Sequence, residues 1–342
     1  PKSTRKMPKQ FLNLFGDKTM IQSTVHRLNG WIDIRNCMVV TNNNYVGIVK
    51  EQLPGIDDQM IIGEKVAKNT APCIAAAAAI LHDKDPDSVM VVLPADHHIT
   101  QPERFREVLN SAVKKAGEDH CLVTIGITPA HPETGYGYIN YEASGGGSDV
   151  SGQAFKVKRF TEKPDREKAE EFLKSGNYLW NSGMFVWKTS AILDAFKSYL
   201  PEVYSHAAKI SEKGDLKKNL DTFYEACPSV SVDYGIMEKA DDVYVIPGEF
   251  GWNDVGSWSA VYELSDKNEN GNAVKADPVF MKNASGNLVQ SESGKFIAAI
   301  GVENLAIVET DKAILICPLN EAQKVKEVVE YLGDNEELKK YR

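Results

Sequence analysis

Asp96 lies in the loop LPADHHI (Leu93–Ile99), directly after the apolar run SVMVVL. In an open α/β sheet, ligands bind beyond the carboxyl ends of the strands. A carboxylate there suits Mg²⁺, which takes one or two carboxylates together with substrate phosphates; the other reading is an aspartate that caps the next turn. His97 and His98 follow, but adjacent histidines point apart and no third ligand stands at zinc spacing. A second carboxylate, Asp254, stands in GWNDVGSW (Gly251–Trp258). Its glycines permit a tight turn and its tryptophans can wall that turn against a core, leaving Asp254 either to face outward as a ligand or to act as an ordinary cap. Lys9, after the proline of MPKQF, has the point charge that neutralises a phosphate.

Other segments carry polyol and anion chemistry. In FTEKPD (Phe160–Asp165), Glu162 and Lys163 adjoin, and in extended backbone they face opposite sides. One can accept from sugar hydroxyls while the other meets a phosphate, or the two form a surface charge pair. WNSG (Trp180–Gly183) supplies Asn181, a hydroxyl and a flexible glycine, a set that serves a polyol site or a plain turn. TGYGY (Thr134–Tyr138) puts Gly137 at a strand edge, where a ligand can approach the backbone or a bulge can form. EKVAKNTAP (Glu64–Pro72) joins a strand end to a helix N-terminus, where exposed N–H groups at Asn69 and Thr70 welcome anions or base edges. The chain has no G-x-x-x-x-G-K-[ST], no G-x-G-x-x-G and no G-x-S-x-G.

The elements that must position these residues alternate. Short β-branched runs at Cys37–Thr41, Met60–Gly63, Ser88–Leu93 and Leu122–Ile127 are separated by helical patterns at Thr19–Arg27, Tyr45–Gln52, Pro72–His82 and Pro102–Lys115. Apolar on both faces, these runs predict an α/β fold with a mostly parallel, Rossmann-like sheet flanked by helices. Five consecutive alanines in the third helix allow close packing. A charged helix is expected at Arg166–Lys174, and helices dominate from Thr189 to Lys239. ASGGGSDVSG (Ala143–Gly152) reads as a flexible hairpin tip. The polar segment NENGN (Asn268–Asn272) predicts a boundary, giving domains 1–267 and 268–342. The second reads as short strands spaced eight to ten residues apart, sandwich-like or solenoid-like, closed by a helix at Glu321–Tyr331.

The 342 residues, with 39 basic and 48 acidic side chains, give a net charge of −9, which lacks the basic excess of a nucleic-acid footprint. Five widely spread cysteines without C-x-x-C read as reduced thiols. No apolar run reaches the roughly 20 residues of a membrane span, and neither a signal peptide nor a location outside the cytoplasm is expected.

Taken in order, PKQFL, EKVAKNTAP, LPADHHI, TGYGYI, FTEKPD, YLWNSGMFVW, VDYGIMEK and FGWNDVGSW closely resemble the mannose-1-phosphate guanylyltransferases, or GDP-mannose pyrophosphorylases, of the sugar-phosphate nucleotidyltransferase family. The resemblance runs from Pro1 to about Leu264. The β-rich tail is similar, more weakly, to that family's C-terminal extension in the short form without an isomerase domain. The resemblance implies the reaction of GTP with α-D-mannose 1-phosphate to GDP-mannose and diphosphate, with Mg²⁺ as cofactor. It implies Asp96 and Asp254 as the metal pair, and Lys9 on the triphosphate and departing diphosphate. Lys163 would meet the sugar-linked phosphate, Glu162 and Asn181 the mannose hydroxyls, and Gly137 the sugar through its backbone. Glu64, Asn69 and Thr70 would lie on the nucleotide side, Glu64 reading guanine. The family also carries a strand and a G-G-x-G-x-R loop just before the point where Pro1 stands, and that segment is expected in the natural chain. A homodimer is expected, with neither nucleic-acid nor membrane partners. The alternatives are a nucleotidyltransferase for another hexose 1-phosphate and a non-catalytic homologue that senses sugar nucleotides.

Overall fold

Nine short apolar or amphipathic segments of the first 250 residues resolve into strands and their covering helices in a computed structural model that describes residues 2–142, 152–212 and 214–341. Of the expected hairpin tip at Ala143–Gly152, all but Gly152 lies outside the described residues. The chain forms two compact units, both discontinuous: Arg27–Pro94 with Ile99–Trp252, and Pro1–His26 with Ala95–His98 and Asn253–Arg342. The division expected between 267 and 268 follows chain order, whereas the units do not.

In the larger unit, β1 (Val39–Asn42) pairs in parallel with β2 (Ile61–Glu64). A six-stranded sheet holds β3 (Val89–Val92), β4 (Leu122–Ile127), β5 (Tyr138–Tyr141), β6 (Phe155–Thr161), β7 (Tyr178–Lys188) and β8 (Val243–Pro247), in the order β3-β7-β4-β8-β6-β5. Instead of mostly parallel pairings, the sheet is mixed. Only β4 and β8 pair in parallel; β7 runs antiparallel to β3, β4 and β5, and β6 to β5 and β8. The reason is the eleven-residue β7, which inserts between β3 and β4, two strands that themselves run the same way.

Helices cover both faces, as strands apolar on both sides require. On one face the helix Thr70–Lys84 packs on helices Thr189–Tyr199 and Pro201–Ala207 through its alanine run, Ala75–Ala79. Asn69 caps it, its side-chain oxygen accepting from Thr70 N–H at 2.8 Å. On the other face the helix Pro102–Glu118 buries Phe105, Val108, Leu109 and Ala112 against Ile125, Val186 and Ile246. Each of the larger of these buried side chains, Phe105, Val108 and Leu109, contributes about 1.5–3 kcal/mol.

The smaller unit carries the β-rich tail, and its strands stack as a solenoid. In it β9 (Ala273–Lys275), β11 (Leu288–Ser291) and β13 (Leu305–Glu309) lie parallel, with Ala273 beside Leu288 and Leu288 beside Ala306. A second parallel pair joins β10 (Val279–Lys282) to β12 (Ile297–Ile300), and the antiparallel β14 (Ile314–Pro318) closes the edge on β13. NENGN proves to be a folded turn: Asn268 Oδ1 accepts from the N–H groups of Asn270 and Asn272. Asn272 is itself buried and starts an asparagine ladder. Its Oδ1 accepts from Asn287 N–H and Nδ2, while Asn287 donates to Val302 O and accepts from Leu305 N–H. Asn287→Ala takes the acceptor from Leu305 N–H and one donor each from Asn272 Oδ1 and Val302 O, and is expected to lower stability by about 1–3 kcal/mol in denaturant unfolding. A loss under 0.5 kcal/mol would show that the ladder is dispensable. The tail closes with the 3₁₀ turn Leu319–Lys324 and the helix Val325–Asp334, slightly later than expected.

Candidate active site

In the smaller unit three segments distant in sequence meet on one ammonium group. Pro8 leads into the 3₁₀ turn Lys9–Phe11, anchored by buried Phe11. Lys9 Nζ lies 2.8 Å from Asp96 Oδ2 and donates to the main-chain oxygen of Asp254 at 2.6 Å, across 245 positions. The Asp96 carboxylate and the Asp254 main chain are thus no further apart than those two lengths together. Asp254 sits in a strained turn. Its Oδ1 accepts from Gly256 N–H at 3.2 Å, and Val255 beside it has φ +53°. A β-branched residue in the left-handed region is an outlier that persists only where packing overrides it. Here Val255 is buried with Leu14, Val261 and Ala306. The Lys9 ammonium is held by one carboxylate oxygen of Asp96 and one main-chain oxygen of Asp254, both hard oxygen donors of the kind a divalent ion takes. Among the described residues no three His, Cys, Asp or Glu side chains form a metal cluster, so an ion here would take most of its ligands from phosphate oxygens and water.

In the larger unit Gly137, Glu162, Lys163 and Asn181 come together. Asn181 N–H donates to Gly137 O at 2.8 Å, and a Cβ on Gly137 would lie 2.4 Å from Glu162 Oε2. Asn181 begins a bulge. Gly126 pairs with Asn181 and Thr124 with Phe185, so one residue of β4 opposes three of β7, and Gly183 takes φ +69°. Ser182 Oγ bonds Ile125 O, which seals the bulge and aims Asn181 away from the ladder. The backbone at Lys163 corrects the sequence expectation. It is not extended but left-handed, φ +47°, with its N–H donating to Tyr136 O. Lys163 Nζ therefore lies 3.6 Å from Glu162 Oε1 instead of on the opposite side.

Glu64 closes β2 beside Cys73 and Tyr224, and its Oε1 is buried without a hydrogen-bond partner. Burial raises its carboxyl to about 7. Asn69 and Thr70 stand at the helix start, but both side chains have structural partners, Asn69 as cap and Thr70 Oγ1 accepting from Val232 N–H at 2.9 Å.

Two site residues had been given no role from sequence. Asp233 Oδ1 accepts from Asn181 Nδ2 at 2.8 Å, and Glu238 Oε1 accepts from Glu162 N–H at 3.0 Å. Both belong to VDYGIMEK, whose place in the resemblance was the only signal. Glu162 is pushed up to about 7 by burial and then by the nearby Asp233 carboxylate, with Lys163 opposing. Its protonated form is the one the fold favours. Stability from Glu162 is therefore whole below the unfolded-state value of about 4.3 and is lost as pH rises through about 7. Glu162→Gln is expected to flatten the fall in melting temperature of the ligand-free chain between pH 5 and 8. An unchanged slope would assign that fall to other groups, Glu64 first.

A helix-flanked mixed sheet in one unit and a parallel β-solenoid in the other define an α/β protein with a β-solenoid extension. The nucleotidyl transferase family profile matches residues 3–271, and the MannoseP isomerase/GMP-like beta-helix domain matches residues 281–332. A mannose-1-phosphate guanylyltransferase of Klebsiella pneumoniae is 41% identical over 100% of this chain and 73% of its own length. The alginate biosynthesis protein AlgA of Pseudomonas aeruginosa is 37% identical over 97% of this chain and 69% of its own. A crystal structure from Thermus thermophilus, described as a mannose-1-phosphate geranyltransferase, superposes with a TM-score of 0.85 at 28% identity, covering 97% of this chain and 95% of that one. The chain belongs to the nucleotidyl transferase family, within its mannose-1-phosphate guanylyltransferase branch.

Proposed function

We propose that this chain catalyses the reaction of GTP with α-D-mannose 1-phosphate to GDP-mannose and diphosphate. A phosphate oxygen of the sugar attacks the α-phosphorus in line, and the bond to the bridging oxygen of diphosphate breaks. No covalent nucleophile on the protein is needed, so positioning and charge neutralisation carry the rate. The observation that carries this reading is the meeting of Lys9, Asp96 and Asp254; the names of the relatives support it.

Asp96 and Asp254 would hold Mg²⁺, which when bound neutralises phosphate charge. Lys9, tied to Asp96 when no nucleotide is present, would turn its ammonium to the triphosphate and the departing diphosphate. Glu162 and Asn181 would take mannose hydroxyls, Glu162 near its midpoint at neutral pH and able both to accept and to donate. Gly137 leaves the space a side chain would fill. Lys163 would meet the sugar-linked phosphate. Glu64, Asn69 and Thr70 would face the nucleotide, Glu64 accepting from guanine N–H groups, which adenine does not offer in that pattern.

A cytoplasmic homodimer completes the proposal. No helix among the described residues is long and apolar enough to cross a membrane. Phe296, Ile300, Ile314 and Ile316 of the solenoid are more than half exposed, apolar area that a second copy would cover. The deciding assay is diphosphate release from a panel of nucleoside triphosphates and hexose 1-phosphates with Mg²⁺. Release confined to GTP and mannose 1-phosphate supports the proposal; preference for another pair names a different transferase, and no release with retained GDP-mannose binding indicates a sensor.

A further inference from the structure

One turn of the chain grips both residues that the proposed function assigns to the hexose. The segment Asp233–Met237 is a π-helical turn, a rare geometry that gathers at functional sites. It is locked in place: Ile236 and Met237 are buried, Val232 N–H bonds Thr70 Oγ1, and a Cβ on Gly235 would lie 2.6 Å from Leu200 Cδ1. From its start Asp233 takes the Asn181 amide, and just past its end Glu238 takes the Glu162 main chain.

Asn181 is fully oriented as a result. Its Oδ1 accepts from Gly183 N–H at 3.1 Å and from Thr124 Oγ1 at 3.3 Å, while one Nδ2–H goes to Asp233. An amide normally has two nearly equivalent orientations, and only its partners select one. An ionised carboxylate accepts and cannot donate, so Asp233 excludes the flipped amide. One N–H of Asn181 is left to offer, beside Glu162 Oε2, which is buried and has no protein partner.

We propose that Asp233 is a positioning residue for hexose selectivity: by holding Asn181 as a donor beside Glu162, it sets which hydroxyl of the sugar must accept and which must donate. This rests on the hexose reading of Glu162 and Asn181. The charged groups facing the pair are Lys163 and Glu238, with Glu162 and Asp233 facing each other.

Asp233→Asn keeps the shape but can present either end of its amide, which frees Asn181 to flip. It is expected to raise KM for mannose 1-phosphate and weaken mannose 1-phosphate binding in calorimetry by about 10- to 30-fold, with KM for GTP unchanged. Preference over the glucose epimer narrows. In the background of Asn181→Ala the same substitution should add less than twofold, which a merely structural role would not produce. The KM–pH profile should also move to lower pH, because Glu162 loses a like-charged neighbour. If Asp233→Asn does not fold, Asp233→Ser, small and still an acceptor, takes its place.

Unchanged binding and selectivity in the folded variant would overturn the inference, as would full additivity with Asn181→Ala. If the wild type binds mannose 1-phosphate but releases no diphosphate, the proposed catalysis falls, while the Asp233 inference is still decided by calorimetry. If the wild type does not bind the sugar phosphate at all, both fall.

Discussion

Asp254→Asn is expected to lower kcat/KM for diphosphate release by about 10²- to 10³-fold, the scale of losing one preorganised electrostatic contact to a reacting phosphate. The substitution is conservative in the geometry that can be inspected. The main-chain oxygen that receives Lys9 is retained, as is an oxygen for Gly256 N–H. Val255 keeps its burial and with it the strained turn. Only the negative charge is removed, so melting temperature should stay within a degree or two while activity collapses. Asp96→Asn should lose as much activity. It also weakens the ion pair to Lys9, so its ammonium becomes freer. Unchanged kcat and kcat/KM of either variant, measured with Mg²⁺ across substrate concentrations below and above KM, would remove that carboxylate from the reaction. An equal loss of activity and of fold would leave Asp254 as a structural residue.

The largest effect on stability is expected at Gly251, two elements before the solenoid. Its φ is +67°, where an L side chain is strained, and a Cβ there would lie 1.8 Å from Thr100 Oγ1 and 3.0 Å from Thr100 Cβ. The backbones of the two segments are tied together: Thr100 N–H donates to Gly251 O, and Gln101 N–H to Phe250 O. The Thr100 hydroxyl can rotate away, but its Cβ and backbone cannot retreat without breaking those bonds. Gly251→Ala should cost about 3 kcal/mol or more, from left-handed strain and overpacking together. Thr100→Ala in the same chain should return only the part due to the hydroxyl, leaving the strain and the Cβ contact. Urea unfolding of the four proteins tests this; a Gly251→Ala cost below 1 kcal/mol would mean that the segment shifts freely.

How much of this was legible in the chain differs from element to element. Leu122–Ile127 forms a strand with those bounds, and Pro102, Asn69 and Asp165 start helices where capping chemistry places them. Such features depend on a residue and its near neighbours. The sheet's mixed pairing was not legible, because an apolar run carries no direction; β7 reads as a polar-interrupted motif until its bulge is seen holding Asn181. The conformation of Lys163 was misjudged for a related reason. The residue before a proline is biased toward extended backbone, and only the bond to Tyr136 O makes the left-handed turn worthwhile.

In the candidate site, Lys9, Asp96 and Asp254 stood out by residue type and by the turns around them. Asp233 did not, since an aspartate in an apolar helical stretch looks like any cap. Its meaning comes from Asn181, 52 positions away. The folded nature of NENGN was hidden in the same way: its polar side chains read as a linker, yet Asn272 is buried because Asn287 and Ala284 satisfy it.

From its residues alone this chain determines its helices, most of its strands, its class and the chemical types of its candidate site. These follow from propensity, capping and local patterning, which act over a few positions. What only the folded molecule decides is which distant groups meet: one ammonium on two acidic segments, one π-helical turn on Asn181 and Glu162, and a ladder of asparagines through a solenoid. Those meetings depend on burial and on the need of every buried polar group for a partner, and neither can be evaluated until the chain has closed on itself.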